Sequence, residues 1–151
     1  MSYSPHGAYL ESRVLNASPI ELIRMLYEAG LDSVRQAREH LNTGDIQSRS
    51  DAISKALNIL AELNISLNFE AGGEIATRLS GLYLYMQQRL LEASLHQTDE
   101  PLAETWNLLS TIAEAWNLAH PPEPPAPDPA APDPAYAGEE SPARPARDWS
   151  V

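Results

Sequence analysis

Proline is concentrated at one end of this 151-residue chain, and its distribution limits the possible folds more than any other feature. Ten of the 13 prolines fall within residues 121–151. Proline lacks the backbone donor that a helix interior or a central strand needs, and this segment has few aliphatic side chains to bury. We therefore predict a disordered, semi-extended tail over residues 121–151. The folded part must lie within residues 1–120.

Helix-start signals recur along residues 18–120, and none of the segments between them alternates as a strand would. Ser18 can cap a helix, and Glu21 can complete a capping box with it. Asp45 can cap a second helix, and Thr98 or Asp99 a later one. The expected helices run from Ser18 to Asn42, from Asp45 to about Phe69, from near Glu74 to about Leu95, and from Thr98 to before Pro121.

Short connections between four amphipathic helices predict an all-α fold, an antiparallel up-down-up-down four-helix bundle over residues 18–120. Residues 1–17 then form an N-terminal arm. This arm carries the apolar residues Tyr9, Leu10 and Val14, which must rest on some other surface.

Composition excludes several classes of function. The chain has no cysteine, so it has neither a disulfide framework nor a thiolate metal site, which fits a cytoplasmic protein. Its net charge is −11, and it has no basic patch of the kind that nucleic-acid binding needs. Its longest apolar run is five residues, far short of a membrane span, and the N-terminus does not resemble a secretory signal.

That five-residue run, Leu82 to Met86, goes all the way round a helix. A helical wheel that starts at Ile75 predicts a core face of Ile75, Leu79, Leu82, Met86, Leu90 and Ala93, with Tyr83 on its flank and its hydroxyl at the rim. Leu84, Leu91 and Leu95 then form a line on the opposite side. On the second helix, Ile65 and Phe69 likewise lie far from the core face.

Two interpretations of these second stripes remain open. They can line a wide bundle interior or pack under the N-terminal arm, or they can form a groove for another chain. Burying one leucine contributes roughly 1.5–3 kcal/mol, so three leucines exposed to water are a costly surface. The two interpretations are compatible, because an arm can cover a groove until a partner displaces it.

Catalytic and metal motifs are largely missing from the sequence. None of the four histidines belongs to an HExxH motif, and no Glu-x-x-His pair of a di-iron bundle occurs. Glu92 and His96 have helical spacing, but two residues are a weak metal signal. We expect no enzyme activity and no cofactor. A carboxylate–metal bundle is the least favoured interpretation.

An ordered set of short motifs over residues 9–118 resembles the flagellar export chaperones, the FliS family. They are Ala17-Ser18-Pro19, Met25-Leu26-Tyr27-Glu28, Leu63-Asn64, Leu67-Asn68, Glu70-Ala71-Gly72-Gly73-Glu74-Ile75-Ala76, Leu82-Tyr83, Tyr85-Met86, Arg89-Leu90, Glu92-Ala93 and Trp116. The Pro-rich tail and the first eight residues lie outside the resemblance.

The resemblance implies a cytoplasmic chaperone that holds the disordered C-terminal segment of flagellin, prevents its early polymerisation and delivers it to the flagellar type III export gate. The expected groove residues are Asn64, Ile65, Asn68, Phe69, Leu84, Tyr85, Leu91 and Leu95. The arm residues Tyr9, Leu10 and Val14 are expected to cover this groove. The alternative is a self-associating helical adaptor with no flagellin client, in which the stripes meet a second copy as a homodimer.

The tail has two interpretations, a solvated tether or a docking peptide anchored by Trp149, and its composition favours the tether. Deleting residues 121–151 should therefore leave the thermal midpoint and the helical circular-dichroism signal per folded residue nearly unchanged. A fall of many degrees would show that the tail packs on the bundle.

Overall fold

The computed structural model of the protein describes residues 5–121. Its helices are α1 (Pro5–Asn16), α2 (Pro19–Thr43), α3 (Ile46–Ile65), α4 (Phe69–His96) and α5 (Glu100–Ala119). The predicted disorder of the tail and the role of Trp149 concern residues 122–151, which lie outside the described residues.

Two of the predicted caps are confirmed. The Ser18 hydroxyl accepts a hydrogen bond from the Glu21 N–H at 3.2 Å and begins α2. The Asp45 carboxylate accepts from the Ser48 N–H at 3.1 Å, and this bond lowers the pKa of Asp45. Between them Gly44 adopts φ +77°, a left-handed conformation that glycine takes without a steric penalty. Interactions between residues close in sequence therefore determine where α2 ends and α3 begins.

The N-cap of α5 lies at Asp99, one of the two predicted positions, but it lacks the expected side-chain hydrogen bond. The Asp99 carboxylate instead accepts two hydrogen bonds from Arg38, at 2.8 and 2.9 Å, and so joins the start of α5 to α2. A charge-assisted, two-point contact with another helix has replaced the local cap.

The end predicted for the second bundle helix is wrong. α3 ends at Ile65, and the Asn68 side chain caps α4 by accepting from the Ala71 N–H at 3.0 Å. Phe69 is therefore the first residue of α4. As predicted, the glycine pair interrupts the helix. It kinks α4 at Gly73, whose φ of +50° and ψ of −124° are non-helical.

The four long helices form the predicted antiparallel bundle. α2 and α4 each pack against both α3 and α5, so the four helices stand at the corners of a square. Gly30 allows close packing on α2, because a Cβ there would lie 3.0 Å from Leu109 of α5 and 3.2 Å from Ile59 of α3. The all-α fold class is confirmed.

The core face of α4 is rotated relative to the prediction. Its buried residues alternate by three and four positions, as in a coiled-coil seam. They are Ala76, Tyr83, Met86, Leu90 and Ala93, with Leu79 packed partly buried among them. Ile75 is 70% exposed, and Leu82 is only partly buried. The predicted core face was centred on Ile75 because its side chain is large. The buried heptad instead begins one residue later, at Ala76.

Tyr83 is fully buried, so its predicted position at the rim is also wrong. Its hydroxyl lies 2.8 Å from the hydroxyl of Tyr27, which is buried on α2. α2 and α4 lie diagonally across the bundle. The two hydroxyls satisfy one another there, which allows two polar atoms in an apolar interior.

Adjacent leucines on α4 test the assignment of its two faces. Leu90 is 0% exposed and Leu91 is 57% exposed. Replacing Leu90 by alanine should cost about 2–5 kcal/mol of unfolding free energy, because it leaves a cavity. Leu91→Ala should cost much less. Urea denaturation of both variants measures the difference, and equal losses would contradict the assignment.

Candidate functional site

An unpartnered apolar line runs along the outer side of α4. Leu84, Leu91 and Leu95 are 51%, 57% and 75% exposed. They repeat at seven- and four-residue intervals and so lie on one face of the helix. The heptad that turns Met86 and Leu90 inward necessarily turns these three outward. We call these three residues the α4 stripe.

The α4 stripe lies on the side of α4 that faces α3. Gln87 is three residues after Leu84 and four before Leu91, so it shares their side of the helix. Its side-chain amide donates to the Leu57 carbonyl of α3 at 3.4 Å. The stripe therefore borders the groove between α3 and α4, as a partner-binding interpretation requires.

Ile65 and Phe69 are exposed at the turn between α3 and α4. Asn68 caps α4 in this turn, so its side-chain oxygen is already occupied, whereas its amide hydrogens point to no described acceptor. Asn64 is half-buried, and its side-chain oxygen is buried without a described donor. This turn thus joins apolar surface to unused amide groups.

Tyr85 does not join the other predicted groove residues. Its hydroxyl donates to the two carboxylate oxygens of Glu104 on α5, at 2.8 and 2.9 Å. This hydrogen bond raises the pKa of Tyr85 and lowers that of Glu104. Arg89 donates to the same carboxylate at 2.6 Å. Tyr85 therefore belongs to the α4–α5 side of the bundle, away from the stripe.

The arm helix α1 leaves Tyr9, Leu10 and Val14 exposed. It does not pack against the bundle as the four long helices pack against one another. Its described ion pair joins Arg13 to Glu21 at the start of α2, at 3.3 Å. In this structure the arm does not cover the stripe, so its covering role stays a prediction.

A second apolar feature, missed by the sequence analysis, opens at the end of the bundle where α2 and α4 begin and α5 ends. It is a pocket of about 580 Å³. Its lining includes Ile23, Tyr27, Leu67, Ile75, Leu79, Tyr83, Trp116 and His120. We call it the end pocket.

The end pocket has an unused donor in its wall. The Nε1 atom of Trp116 is buried and has no described hydrogen-bond partner. The Trp116 ring lies 6.2 Å from the ring of Tyr27 and 4.2 Å from that of His120, measured between centroids. The pocket needs three helices and a turn to form, so no single segment of sequence indicates it. The one hint in the sequence was Ile75, a large apolar residue that lies outside the buried heptad positions of α4 and lines the pocket.

Metal chemistry finds little support in the described part of the chain. Residues 7–121 contain no group of three or more His, Cys, Asp or Glu side chains placed to hold a metal ion. Glu92 pairs with Arg89 at 2.6 Å rather than with His96. Nor is any helix in this part long and apolar enough to cross a membrane.

The fold and its exposed surfaces define a class, an antiparallel four-helix bundle with an exposed apolar stripe along one helix. Comparison with known proteins identifies the family. Residues 2–123 of the chain match the protein family described as "Flagellar protein FliS".

Individual relatives agree with this match. The chain is 45% identical over 113 residues to the flagellar secretion chaperone FliS of Salmonella typhimurium. This alignment covers 74% of this chain and 84% of that protein. It is 32% identical over 116 residues to FliS of Bacillus subtilis, covering 77% and 86%. With FliS of Escherichia coli the identity is 34% over 108 residues, covering 71% and 79%. The chain belongs to the FliS family of flagellar secretion chaperones.

The tyrosine pair beneath the end pocket gives a prediction of its own. Tyr83→Phe or Tyr27→Phe alone should cost about 1–3 kcal/mol, because each leaves the other hydroxyl buried without a partner. The double variant removes both hydroxyls and should be nearly as stable as the wild type. Urea denaturation at pH 8 measures this, and additive losses in the double variant would contradict it.

The same pair predicts the alkaline limit of stability. Burial raises the pKa of Tyr27 and of Tyr83 above the ordinary value of 10.0. Because the native state holds these protons more tightly than the unfolded chain, the pair's contribution is complete below about pH 10 and is lost as the pH rises further. Stability should therefore fall more steeply above pH 10 in the wild type than in the double phenylalanine variant.

Proposed function

We propose that the protein is a cytoplasmic export chaperone that binds the disordered C-terminal segment of flagellin, prevents its premature polymerisation and delivers it to the flagellar type III export apparatus. The α4 stripe is the observation that carries the proposal, because α4 has filled its core face and still presents three leucines in a line. Membership of the FliS family supports a chaperone role in flagellar export.

Energies indicate how much surface such a client must contact. A disordered segment that folds on binding loses about 2–5 kcal/mol or more to ordering. Each stripe leucine is already partly covered, so a client gains about 1–2 kcal/mol from covering it further. Three leucines then do little more than offset the ordering. Net affinity needs further contacts, and Ile65, Phe69 and the end pocket supply candidate surfaces.

The recognition mode that fits this surface is an amphipathic helix laid in a groove, with an extended continuation along the bundle. The α4 stripe runs from Leu84 to Leu95, about 16 Å at the rise of a helix, which is three turns of a client helix. The amide groups of Asn64 and Asn68 can bind client backbone where the segment passes the α3–α4 turn. The arm is expected to compete with the client for apolar surface.

The experiment is calorimetry with the full chain and the C-terminal segment of its cognate flagellin. We expect one-to-one binding without metal or nucleotide. Leu91→Glu and Ile65→Glu should weaken binding at least tenfold, because each places a charge against buried client side chains. Thr111→Glu is the matched control, since it adds the same charge at an exposed position on α5. Circular dichroism must show that all three variants remain folded.

Two outcomes would overturn parts of the proposal. If the folded Leu91→Glu and Ile65→Glu variants bind as the wild type does, the client uses another surface. If the wild type binds no flagellin segment but sediments as a dimer that Leu91→Glu dissociates, the stripe is a self-association surface and the chain is the helical adaptor of the alternative interpretation.

A further inference from the structure

Arg49 is a buried cation without a counter-charge. The residue is 5% exposed and lies on the core side of α3, in line with Ala52 and Ala56. Its side chain forms no ion pair or hydrogen bond with the described residues, and the Nε atom is buried without an acceptor. The nine described ion pairs each join an arginine to a carboxylate within 4.0 Å, and Arg49 takes part in none of them.

Its position in α3 makes the charge more costly. Arg49 is the fourth residue of α3, near the end where the helix dipole is positive and cations are disfavoured. No acidic residue occupies that first turn. Asp45, four residues before it, is the nearest acid in the sequence, but its carboxylate caps the helix through the Ser48 N–H and forms no ion pair with Arg49. The Arg49 guanidinium therefore has no ion-pair partner among the described residues.

The register of α3 against α4 places Arg49 level with one end of the α4 stripe. The two helices are antiparallel, and the Gln87–Leu57 hydrogen bond fixes which residues lie level. Eight residues back from Leu57 is Arg49, and eight residues on from Gln87 is Leu95. Both steps cover about 12 Å, so Arg49 and Leu95 lie at the same height in the bundle.

Burying an unpaired charge destabilises a fold, and an apolar side chain of similar size at such a position is often neutral or stabilising. Sites that break such rules are commonly functional. We propose that Arg49 is an anchor for a carboxylate of the bound segment, which pairs with the guanidinium where that segment passes Leu95. This rests on the proposed function and adds to it a charged end point for the apolar groove.

The test combines three variants with three peptides. Arg49→Met removes the charge and keeps an unbranched apolar stem, and Arg49→Lys keeps the charge without the two-point geometry of a guanidinium. Arg78→Met is the matched control, since Arg78 is an exposed arginine on α4 and its loss changes the net charge equally. The peptides are the flagellin C-terminal segment with a free C-terminus, the same segment amidated, and a form with its Asp and Glu residues replaced by Asn and Gln.

Wild-type protein should bind one of the two modified peptides about 10- to 100-fold more weakly than the unmodified one, which identifies the carboxylate as terminal or side-chain. Arg49→Met should bind the unmodified peptide more weakly by the same factor and should no longer distinguish the peptides. Its thermal midpoint should equal or exceed that of the wild type. Arg49→Lys should fall between the two, and Arg78→Met should bind as the wild type does.

The proposal fails if wild type binds all three peptides alike, or if folded Arg49→Met retains full affinity. It also fails if Arg49→Met and Arg49→Lys both lower the thermal midpoint as much as Leu90→Ala does, which would make Arg49 a structural residue. If wild type binds no flagellin peptide, the proposed function fails first. In that case the Arg49 proposal is tested by following the NMR signal of its Nε–H while sodium acetate or sodium chloride is added. Equal shifts with the two salts would exclude a carboxylate site.

Discussion

The heptad on α4 is the constraint on which the rest of the structure depends. It turns Ala76, Met86 and Leu90 into the bundle and brings Tyr83 against Tyr27, two residues that satisfy each other's hydroxyls. A helix that is apolar all round cannot then bury its remaining leucines, because its neighbours α3 and α5 already occupy its two flanks. The exposed stripe is thus a geometric consequence of the core, and the groove beside it has the same rigid support.

Local chemistry was predictable and long-range chemistry was not. Ser18 and Asp45 cap their helices as the sequence indicates, since each cap involves a backbone N–H only three residues away. The Asp99 side chain does not cap, because Arg38, 61 positions away in the sequence, binds its carboxylate. The stripe leucines were located correctly by periodicity. Ile75 was misplaced because size outweighed spacing in the choice of the core face.

The surfaces missed by the sequence analysis depend on several segments meeting. The end pocket needs α2, α4, α5 and the turn before α4, and its polar feature, the unpaired Trp116 Nε1, is visible only once those helices surround it. Tyr85 was predicted to lie on the flank of α4 and to contribute to the groove, but its hydroxyl donates to Glu104 on the α5 side. One residue along a helix turns the side chain by about 100°, so adjacent positions can serve different faces.

Net charge bears on whether the proposed partner of the stripe is a client or a second copy. The chain carries −11 overall, and residues 1–120 carry −7 once the tail's six acids and two arginines are set apart. Two copies that met through their stripes would bring like net charges together, which opposes association at low ionic strength. In the proposal, the positive side chain of Arg49 lies level with one end of the stripe. An apolar segment that carries a carboxylate would pair with it there, so this local charge, and not the net charge, would set the alignment of such a client.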